Sequence, residues 1–490
     1  MLLIKNIQKY DCDVLIAGGG PAGSGLAFHL ASNGFKVIVA EAEKFPRDKV
    51  CGDGVSPIAL AELAKMGITQ TQKFALANEV KEVGLYYGSE KVIIPLSKPG
   101  HLPFHARIIP RIELDNWIYE AAKKAGAAYM ESTRVTGYTI NNEAAIAQLK
   151  KGQIFSTLRA KIIIGADGST STLARQLNGN KPNDEFQLLG LRSYFEHVNG
   201  PNNRVDIYFS EESFPGIFWM FPKGVSGANI GMAMVSKTLP TKPTHVKELL
   251  LNHINTNKAI RERIGSGEMI GKIQGWPITF FNKNSIISGK RIILAGDAAG
   301  LINPLSGDGI QYALLSAGWA AETIIDCMKK NDFSAKALHA YRIKVDKELG
   351  YDFALSNLLV QFPRNKTLSK LWMSLLELII KEAKADKAYA DTIAGIFEGT
   401  YPSYKAMNLS FILKSVQQGI FGLGNGLVKN LGNPELALNN GLKMTESFVT
   451  ILEELNKNKA DQIDWIKNTV GKTVLLAGEM IHHVTNKQRG

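Results

Sequence analysis

Cysteine is scarce in this 490-residue chain, which has only three: Cys12, Cys51 and Cys327. The three are far apart, and no Cys-x-x-Cys pair or cluster of histidine and cysteine accompanies them. We therefore expect neither a disulfide framework nor a metal site. Because scarce, unpaired cysteine is typical of a reducing compartment, we also expect a cytoplasmic protein.

Long hydrophobic runs are missing as well. No uninterrupted apolar stretch approaches the roughly 18 to 20 residues that a membrane-spanning helix needs. The N-terminal segment is interrupted by Lys5, Lys9, Asp11 and Asp13, and no small-residue cleavage site follows. It is therefore not expected to be a secretory signal.

Basic residues are in excess but form no dense tract. The formal net charge is +12, with lysine and arginine dispersed along the chain. This pattern does not favour a nucleic-acid partner. It fits an anionic cofactor, or peripheral contact with the anionic inner face of a membrane, and the composition leaves both interpretations open.

What the chain does have is a glycine motif between two apolar runs, in DVLIAGGGPAGSGLAFHLASNGFKVIVAE. Val14–Ala17 is predicted to be a buried parallel strand, Ala22–Ser32 a helix, and Val37–Ala40 a second strand. Together they make a βαβ unit whose helix N-terminus offers free N–H groups and a positive partial charge.

The glycines have separate tasks in such a unit. Gly18 allows the tight turn, Gly20 lets the backbone approach a pyrophosphate, and Gly23 lets the helix pack closely on the strand. Glu41 ends the second strand, 18 residues after Gly23, and is placed to accept hydrogen bonds from a ribose. Strand, glycines, helix, strand and terminal acid in this order predict a dinucleotide site.

Two later segments repeat the pattern of a strand that runs into a turn of small residues with an aspartate. Ile162–Ile164 leads to Asp167, and Ile292–Ala295 leads to Asp297. Such turns suit the ribityl chain and phosphates of a flavin nucleotide, and Asp297 could accept a ribityl hydroxyl. Backbone N–H groups of Gly307–Ile310 are placed to face the electron-rich end of a flavin ring.

Together these motifs resemble the FAD enzymes of the p-hydroxybenzoate hydroxylase class. Arg111, in PRIELDNWIYEAAKKAG, matches the flavin-contacting arginine of that class. Within the class, KVCGDGVS and PGIFWMFPKGVSGANIG are similar to the geranylgeranyl reductase family, although Ile217 stands where that family's motif has its first tyrosine. The resemblance covers roughly residues 10 to 345. It implies FAD as the cofactor, with NAD(P)H or a reduced protein donor such as ferredoxin as the electron source.

The motifs and the resemblance together indicate a set of cofactor-binding residues. These are Gly18, Gly20, Pro21, Ala22, Gly23, Glu41, Ala42, Cys51, Gly52, Arg111, Val135, Asp167, Gly168, Gly296, Asp297, Pro304, Gly307, Asp308, Gly309 and Ile310.

Three residues are candidates for the catalytic site: Cys51, Trp219 and Phe221. The resemblance places Cys51 near the flavin and the substrate, where a protonated thiol could donate a proton. The alternative is a small side chain that only packs. Likewise, the two aromatic residues either line an apolar substrate channel or belong to the core of a sheet.

The predicted fold class is α/β, with a Rossmann-like FAD/NAD(P)-binding domain, a β-sheet substrate domain and a C-terminal helical domain. Residues 1–75, 101–180 and 276–345 are assigned to the FAD domain. Residues 76–100 and 181–275 are assigned to the substrate domain, because their apolar residues alternate as in half-buried strands. Residues 346–490 are assigned to the helical domain, where an amphipathic stripe begins near Leu368.

The predicted function is reduction of carbon–carbon double bonds of an isoprenoid lipid by hydride transfer from reduced FAD. The partner would be a small-molecule or lipid substrate, with an electron-donor protein as a further option. A monooxygenase, a halogenase and a quinone-linked electron-transfer flavoprotein remain alternatives on the same scaffold.

Overall fold

The computed structural model describes residues 9–96, 102–179, 187–211, 216–235, 243–361, 364–365, 369–401 and 459–487. Sheets with helices around them form the molecule, and the predicted α/β class is confirmed. Part of the predicted helical domain, residues 402–458, lies outside the described residues. Within the described ranges, no helix combines the length and apolar composition that crossing a bilayer requires.

The strands, in chain order, are β1 (Cys12–Ala17), β2 (Val37–Ala40), β3 (Gly54–Val55), β4 (Asn78–Glu79), β5 (Glu82–Tyr87), β6 (Glu90–Pro95), β7 (Arg107–Ile108), β8 (Ala128–Met130), β9 (Arg134–Ile140), β10 (Ala145–Lys151), β11 (Ile154–Gly165), β12 (Gln187–Glu196), β13 (Arg204–Phe209), β14 (Gly216–Lys223), β15 (Gly227–Val235), β16 (Glu268–Thr279), β17 (Ser288–Gly289) and β18 (Ile292–Leu294).

The helices are α1 (Pro21–Ser32), α2 (Pro57–Lys65), α3 (Gln72–Ala75), α4 (Arg111–Lys124), α5 (Thr172–Asn178), α6 (Pro243–Thr256), α7 (Lys258–Ile264), α8 (Ile310–Lys330), α9 (Ala335–Gln361), α10 (Ser369–Ala385), α11 (Lys387–Glu398) and α12 (Lys459–Lys487). Short 3-10 turns cover Ile68–Gln70 and Gly296–Ala299.

The first sheet has the order β17-β18-β11-β1-β2-β8, with β10 and β9 attached to β11. Strands β18, β11, β1, β2 and β8 run parallel, so their carboxyl ends meet at one edge. Their continuous apolar runs suit strands that are buried on both faces, by α1 and α8 among others. The three predicted turns therefore end at the same edge of one sheet, where ligands bind in open α/β sheets.

The second sheet has the order β16-β12-β15-β14-β13-β5-β6, and all its neighbours are antiparallel except β13 and β5. It is assembled from both of the predicted substrate segments, because β5 and β6 come from the first and β12 to β15 from the second. A small third sheet has the order β3-β7-β4, and its strands alternate along the chain with those of the two larger sheets.

Two of the predicted boundaries fall inside regular elements. Helix α9 continues across residue 345, because buried Leu338, Tyr341, Val345, Leu349 and Phe353 keep a helical spacing on both sides of it. Strand β16 likewise crosses residue 275, and it pairs with β12 along most of its length. No linker stands at either position.

The described helices after α9 pack against the other layers. Tyr389, Ile393 and Ala394 of α11 and Ile380 of α10 share one core cluster with apolar residues of β5 and β6. Helix α12 packs along α9, and Trp465 donates a hydrogen bond to the Gln361 carbonyl at 3.0 Å. Helices α10 and α11 therefore pack against the β5–β6 end of the second sheet on the side of residues such as Ile207 and Phe221, whereas α6 and α7 cover its other face.

Candidate active site

One cavity of about 470 Å³ begins at the carboxyl edge of the parallel sheet and continues under the second sheet. Predicted positions lining it are Pro21, Ala22, Cys51, Gly52, Arg111, Gly168, Trp219, Phe221, Asp297, Pro304, Gly307, Asp308, Gly309 and Ile310. Its far end is apolar, with walls from Val83, Leu96, Val205, Ile207 and Ile217. The structure therefore brings most of the predicted residues to one space.

The turn after β1 has no room for side chains at two glycines. Gly18 has a φ of +94°, and a Cβ there would lie 2.4 Å from the Ala166 carbonyl oxygen. A Cβ on Gly23 would lie 1.9 Å from the Gly18 carbonyl oxygen. The Gly23 contact is the close packing of helix on strand that the glycine motif predicts, and the Gly18 contact is with the turn after β11.

Glu41 lies where β2 ends, and its carboxylate is buried. Its Oε2 accepts the Gly19 N–H at 2.7 Å, and its Oε1 accepts the Glu43 N–H at 3.0 Å. Arg47 lies 3.6 Å from Oε2 and 3.7 Å from where a Cβ on Gly20 would be. Glu41 thus holds the glycine turn in place. The Arg47 guanidinium lies beside the position predicted for a pyrophosphate.

Arg111 begins α4 and is almost fully buried. Its Nε and one terminal nitrogen bind both oxygens of Asp115, at 2.7 and 2.8 Å, and Arg47 adds a third contact at 2.8 Å. Burial alone would raise the pKa of Asp115, but Arg111 and Arg47 hold it below its usual range. The pair is therefore charged, and it holds Arg111 on the cavity wall.

Asp297 follows β18 and faces the cavity. Its Oδ2 accepts the Lys49 ammonium at 3.0 Å and the Ser169 hydroxyl at 3.3 Å. Burial alone would raise the pKa of Asp297, but Lys49 and Arg111 keep it below its usual range. An ionised carboxylate here is an acceptor that a ribityl hydroxyl could use.

Asp167 has a role that the sequence pattern does not indicate. Its two oxygens accept the Ser171 hydroxyl at 2.5 Å and the Thr172 N–H at 2.8 Å, so it caps the start of α5. Its neighbours Ala166 and Gly168 line the cavity, whereas Asp167 does not. Burial raises the pKa of Asp167 despite these donors.

Several other predicted cofactor positions stand away from the cavity wall. Val135 is buried in β9 within the core of the first sheet. Gly296 packs against Ala22, whose Cβ would lie 2.8 Å from a Cβ on Gly296. Ala42 follows β2 next to Glu41 and is partly buried.

The loop before α8 forms another wall of the cavity. Gly307 has a φ of +70°, and no heavy atom lies within 4 Å of where its Cβ would be. Asp308 stands two residues before α8, and burial raises its pKa to about 6, although backbone N–H groups of Gln311 and Ile310 oppose the shift. The N-terminus of α8 thus lies at the cavity wall, where the Asp308 carboxyl accepts its first N–H groups.

The loop that carries Cys51 is tied to the second sheet by Asn229 of β15. The Asn229 Nδ2 donates to the Cys51 carbonyl oxygen at 2.7 Å and to Asp53 Oδ2 at 2.8 Å, and its Oδ1 accepts the Trp219 indole N–H at 2.9 Å. Tyr194 donates to the same Asp53 oxygen at 2.8 Å. Asp53 itself has a φ of +67°, so the network holds the backbone in a left-handed conformation.

Burial dominates the titration of this loop. It raises the pKa of Asp53 to about 6, although Asn229 and Tyr194 favour its charged form. It also raises the pKa of the Cys51 thiol, against the attraction of the nearby Arg111 cation. Cys51 is therefore a neutral thiol on the cavity wall at physiological pH.

The two aromatic candidates lie against the glycines of this loop. A Cβ on Gly52 would lie 3.2 Å from the Phe221 ring, and one on Gly54 would lie 3.7 Å from it. Gly231 makes the same room for Trp219, whose ring atoms would be 2.3 Å from an added Cβ. Gly52 and Gly54 thus leave room for the aromatic side chains of β14.

Sequence reasoning missed some residues of the site. Lys49 and Asp53 stand within the KVCGDGVS segment, but nothing in the sequence shows their distant partners. Ala394, Phe397 and Glu398 of α11 line the cavity and come from the predicted helical domain. The amphipathic pattern of that helix indicates only that one face is buried.

The chemistry of the cavity fits FAD. Parallel strands deliver two glycine-lined turns and a helix N-terminus to one edge, with Arg47, Lys49 and Arg111 as cations beside them. Gly307 and Gly168 leave open space where a side chain would stand, since only the Lys49 ammonium, at 3.9 Å, approaches an added Cβ on Gly168. The cavity thus offers backbone donors and positive charge to phosphates, and an apolar wall to a flat ring.

Comparison with known proteins agrees with this geometry. The FAD binding domain family matches residues 11–336, and the chain belongs to this family of flavoprotein oxidoreductases. It is 30% identical over 321 residues to the menaquinone reductase of Mycolicibacterium smegmatis, covering 63% of this chain and 75% of that protein. It is 30% identical to the digeranylgeranylglycerophospholipid reductase 2 of Methanosphaera stadtmanae, covering 71% of this chain and 86% of that protein.

The fold has a solved counterpart. A geranylgeranyl bacteriochlorophyll reductase-like protein from Thermoplasma acidophilum superposes with a TM-score of 0.66 at 23% identity, covering 84% of this chain and 98% of that one. The resemblance to geranylgeranyl reductases that the sequence motifs indicate is therefore confirmed, and the protein is an FAD-dependent oxidoreductase.

Proposed function

We propose that this protein reduces carbon–carbon double bonds in the isoprenoid chain of a lipid. The observation that carries the proposal is the single cavity that joins the FAD-type turns to a chamber walled by aliphatic and aromatic side chains. Its relatives are named for a geranylgeranyl lipid and for menaquinone, and both of these molecules carry isoprenoid chains. An apolar chamber suits such a chain and gives little to a polar aromatic substrate.

Bound FAD would supply two electrons as a hydride, and the chain's residues would position and protect the reaction. Arg47, Lys49 and Arg111 would neutralise the anionic cofactor, and Asp297 would hold its ribityl hydroxyls. Trp219 and Phe221 would line the dry channel that aligns the double bond. Cys51 would contact the reacting end of the lipid as a neutral thiol.

The cofactor's electrons would come from NAD(P)H or from a reduced protein donor. Anaerobic mixing of the purified protein with NADPH, NADH or reduced ferredoxin, followed through the bleaching of the flavin absorbance, identifies the donor. If none of the three donors bleaches the yellow flavin, this part of the proposal is contradicted.

The decisive experiment is mass analysis of the product. The protein is loaded with FAD, reduced anaerobically with dithionite and incubated with digeranylgeranylglycerophospholipid or menaquinone. A gain of two hydrogens for each reduced double bond supports the proposal. A gain of one oxygen or one halogen, in air with the corresponding halide, would establish the monooxygenase or halogenase alternative. Electron transfer to the quinone ring without saturation of its side chain would establish the electron-transfer alternative.

Replacement of Cys51 tests its part in the reaction. Cys51→Ala removes the thiol, whereas Cys51→Ser keeps a small hydroxyl of similar size. If both variants bind FAD and turn over at the wild-type rate, Cys51 has no catalytic role and serves only to pack.

We also propose that the protein meets its lipid at an anionic membrane surface. Leu76 and Val225 are 79% and 90% exposed, and they share a surface groove with Lys73 and Lys223, which lie close to them in the chain, and with Glu113 and Glu196. Exposed apolar side chains flanked by cations suit a bilayer with anionic headgroups. Co-sedimentation with phosphatidylglycerol vesicles should fall in a Leu76→Ser/Val225→Ser variant, and equal binding to neutral vesicles would argue against this contact.

A further inference from the structure

Glu398 is the last residue of α11, and it lines the cavity from outside the FAD binding domain, which ends at residue 336. Its Oε1 is buried and has no hydrogen-bond partner. Its Oε2 accepts the Thr400 hydroxyl at a long 3.4 Å, and the Ala106 N–H is the other donor that favours the charged form of this carboxyl. Among the described residues, no cation pairs with the Glu398 carboxyl, and a neutral carboxylic acid tolerates such a position far better than a carboxylate does.

The end of α11 is held firmly against the cofactor side of the cavity. Gly399 follows with a φ of +74°, and a Cβ on it would lie 3.0 Å from Gln311 Oε1 and 3.5 Å from Asp308 Oδ2. Gln311 in turn accepts the Ser56 hydroxyl at 2.7 Å. The turn after Glu398 therefore packs on the start of α8 and beside the loop that carries Cys51.

The other end of α11 is fixed as well. Asp386 caps the helix by accepting the N–H groups of Ala388 and Tyr389, at 2.8 and 3.2 Å. Ile393 and Ala394 are buried in the cluster shared with β5 and β6. The helix thus presents Glu398 to the cavity in a defined place, between the FAD-type loop and the apolar chamber.

We propose that Glu398 is the acid that protonates the substrate carbon when the double bond is reduced. This inference rests on the proposed function. In the step, the π bond breaks, one carbon forms a C–H bond with the hydride that comes from the reduced flavin, and the other forms a C–H bond with the Glu398 proton. The Glu398 O–H bond breaks, and the carboxylate recovers a proton from water.

The acidity of this group suits the task. Burial raises the pKa of Glu398 to about 7, while the Ala106 N–H and the Thr400 hydroxyl act in the opposite direction. Its position in the last turn of a helix, near the negative end of the helix dipole, also favours the neutral form. An acid with a pKa close to the working pH is the more effective donor, whereas the pKa of Cys51 is raised from a value of 9.0.

Charged and titratable groups of several elements share the cavity with Glu398. They are Arg107 of β7, Arg111 of α4, Cys51 and Lys49 of the loop before β3, Asp297 of the 3-10 turn, and Asp308 before α8. Burial raises the pKa of Asp308 to about 6, so a pH profile of the wild type alone would not assign a titration to Glu398. The assignment needs a variant.

The test compares Glu398→Gln with Glu322→Gln, which replaces an exposed glutamate of α8. The measured quantity is the rate constant for reoxidation of the reduced flavin by digeranylgeranylglycerophospholipid in detergent micelles, without oxygen, between pH 5.5 and 9. In the wild type and in E322Q, this rate should fall about tenfold per pH unit above about pH 7. In E398Q the rate constant at pH 6 should be lower by a factor of about 100, and it should not fall further as the pH rises.

A full-rate E398Q with the wild-type pH profile overturns the inference. Glu398→Asp keeps the acid, and we expect a slower enzyme that retains the alkaline fall in rate. If E398Q does not retain FAD, the test uses the aspartate variant and the wild type instead. A wild-type rate that is constant from pH 6 to 9 also overturns the inference.

An infrared measurement separates this inference from the proposed function. The FAD-loaded wild type should show a protonated-carboxyl C=O band at pH 6 that weakens by pH 8.5, and E398Q should lack that component. If no lipid is reduced but the band is present and lost in E398Q, the proposed function fails while the buried acid stands. If lipid is reduced and the spectra of E398Q and wild type are the same, the role of Glu398 fails alone.

Discussion

The two ends of the cavity differ in the groups that line them. The cofactor end is made of backbone turns that follow parallel strands, and its charges are paired, as in Arg111 with Asp115 and Lys49 with Asp297. The substrate end is made of side chains from the second sheet and from α11, and nearly all of them are apolar.

This difference separates two physical problems. Phosphates and a flavin ring need fixed N–H groups and positive charge, which a short glycine motif supplies wherever it occurs. A chain of hydrocarbon needs only volume and dryness, and many combinations of side chains can supply these. Asn229 joins the two ends, because it binds the Cys51 loop and also the indole of Trp219.

Replacing Asn229, which joins the two ends, should have the largest effect on the free energy of unfolding. Asn229→Leu leaves the buried Asp53 carboxylate and the Trp219 N–H without this partner, and we expect the free energy of unfolding to fall by about 4 kcal/mol. Chemical denaturation of the FAD-loaded protein measures it. Tyr194→Phe removes a single donor from the same carboxylate and should cost about 1 kcal/mol. Equal losses in the two variants would show that Asn229 is not the junction.

The second largest effect is expected from a substitution that disturbs only the cofactor end of the cavity. Gly23→Ala places a methyl group 1.9 Å from the Gly18 carbonyl oxygen, so the turn must open. We expect a cost of about 3 kcal/mol, or roughly 100-fold in FAD affinity. Titration of the apoprotein by flavin fluorescence measures it, with Gly318→Ala in the open part of α8 as the control. An affinity within twofold of wild type would refute the packing argument.

A pH comparison sharpens the role of Asp53 at the junction. Its folded pKa of about 6 exceeds its ordinary value of 3.8, so the folded state holds this proton more tightly than the unfolded state. This contribution to stability is present at low pH and is lost as the pH rises through 6. Between pH 8 and pH 5, the wild type should gain about 1.4 kcal/mol relative to Asp53→Asn, which cannot titrate. If the difference in free energy of unfolding between the wild type and Asp53→Asn does not change with pH, the pKa of Asp53 is not raised in the folded protein.

The smallest effect is expected at the apolar end. Ile217→Tyr restores the residue type of the geranylgeranyl reductase motif and adds bulk to the chamber wall. We expect a change of about threefold to tenfold in KM for the longest isoprenoid chains, because such a pocket contact is worth about 1 kcal/mol. FAD affinity should not change. The matched Ile217→Ala enlarges the chamber, and opposite shifts in chain-length preference would confirm that Ile217 sets it, whereas identical preferences would exclude this role.

The cofactor end was open to prediction because its signals are local. The strand and helix bounds of the glycine unit differ from the expected ones by no more than two residues, and all three predicted turns reach one edge of the first sheet. Apolar runs followed by small residues are sufficient to identify such an edge. Asp167 shows the limit, since the same local pattern cannot tell a helix cap from a ligand contact.

The substrate end could not be predicted in this way, because its partners are far apart in the chain. Asn229 and Cys51 are 178 residues apart, and they meet only because the second sheet packs against the loop before β3. The amphipathic pattern of α11 indicates a buried face, but not that Glu398 reaches a cavity shared with Arg111.

The amino-acid sequence by itself determined the α/β class, the nucleotide edge and the cofactor, because backbone turns and hydrophobic periodicity are encoded by neighbouring residues. Only the tertiary structure decided which side chains line the apolar end of the cavity and which acids are buried. Burial and charge pairing depend on every element that packs around a group, and no local pattern records them.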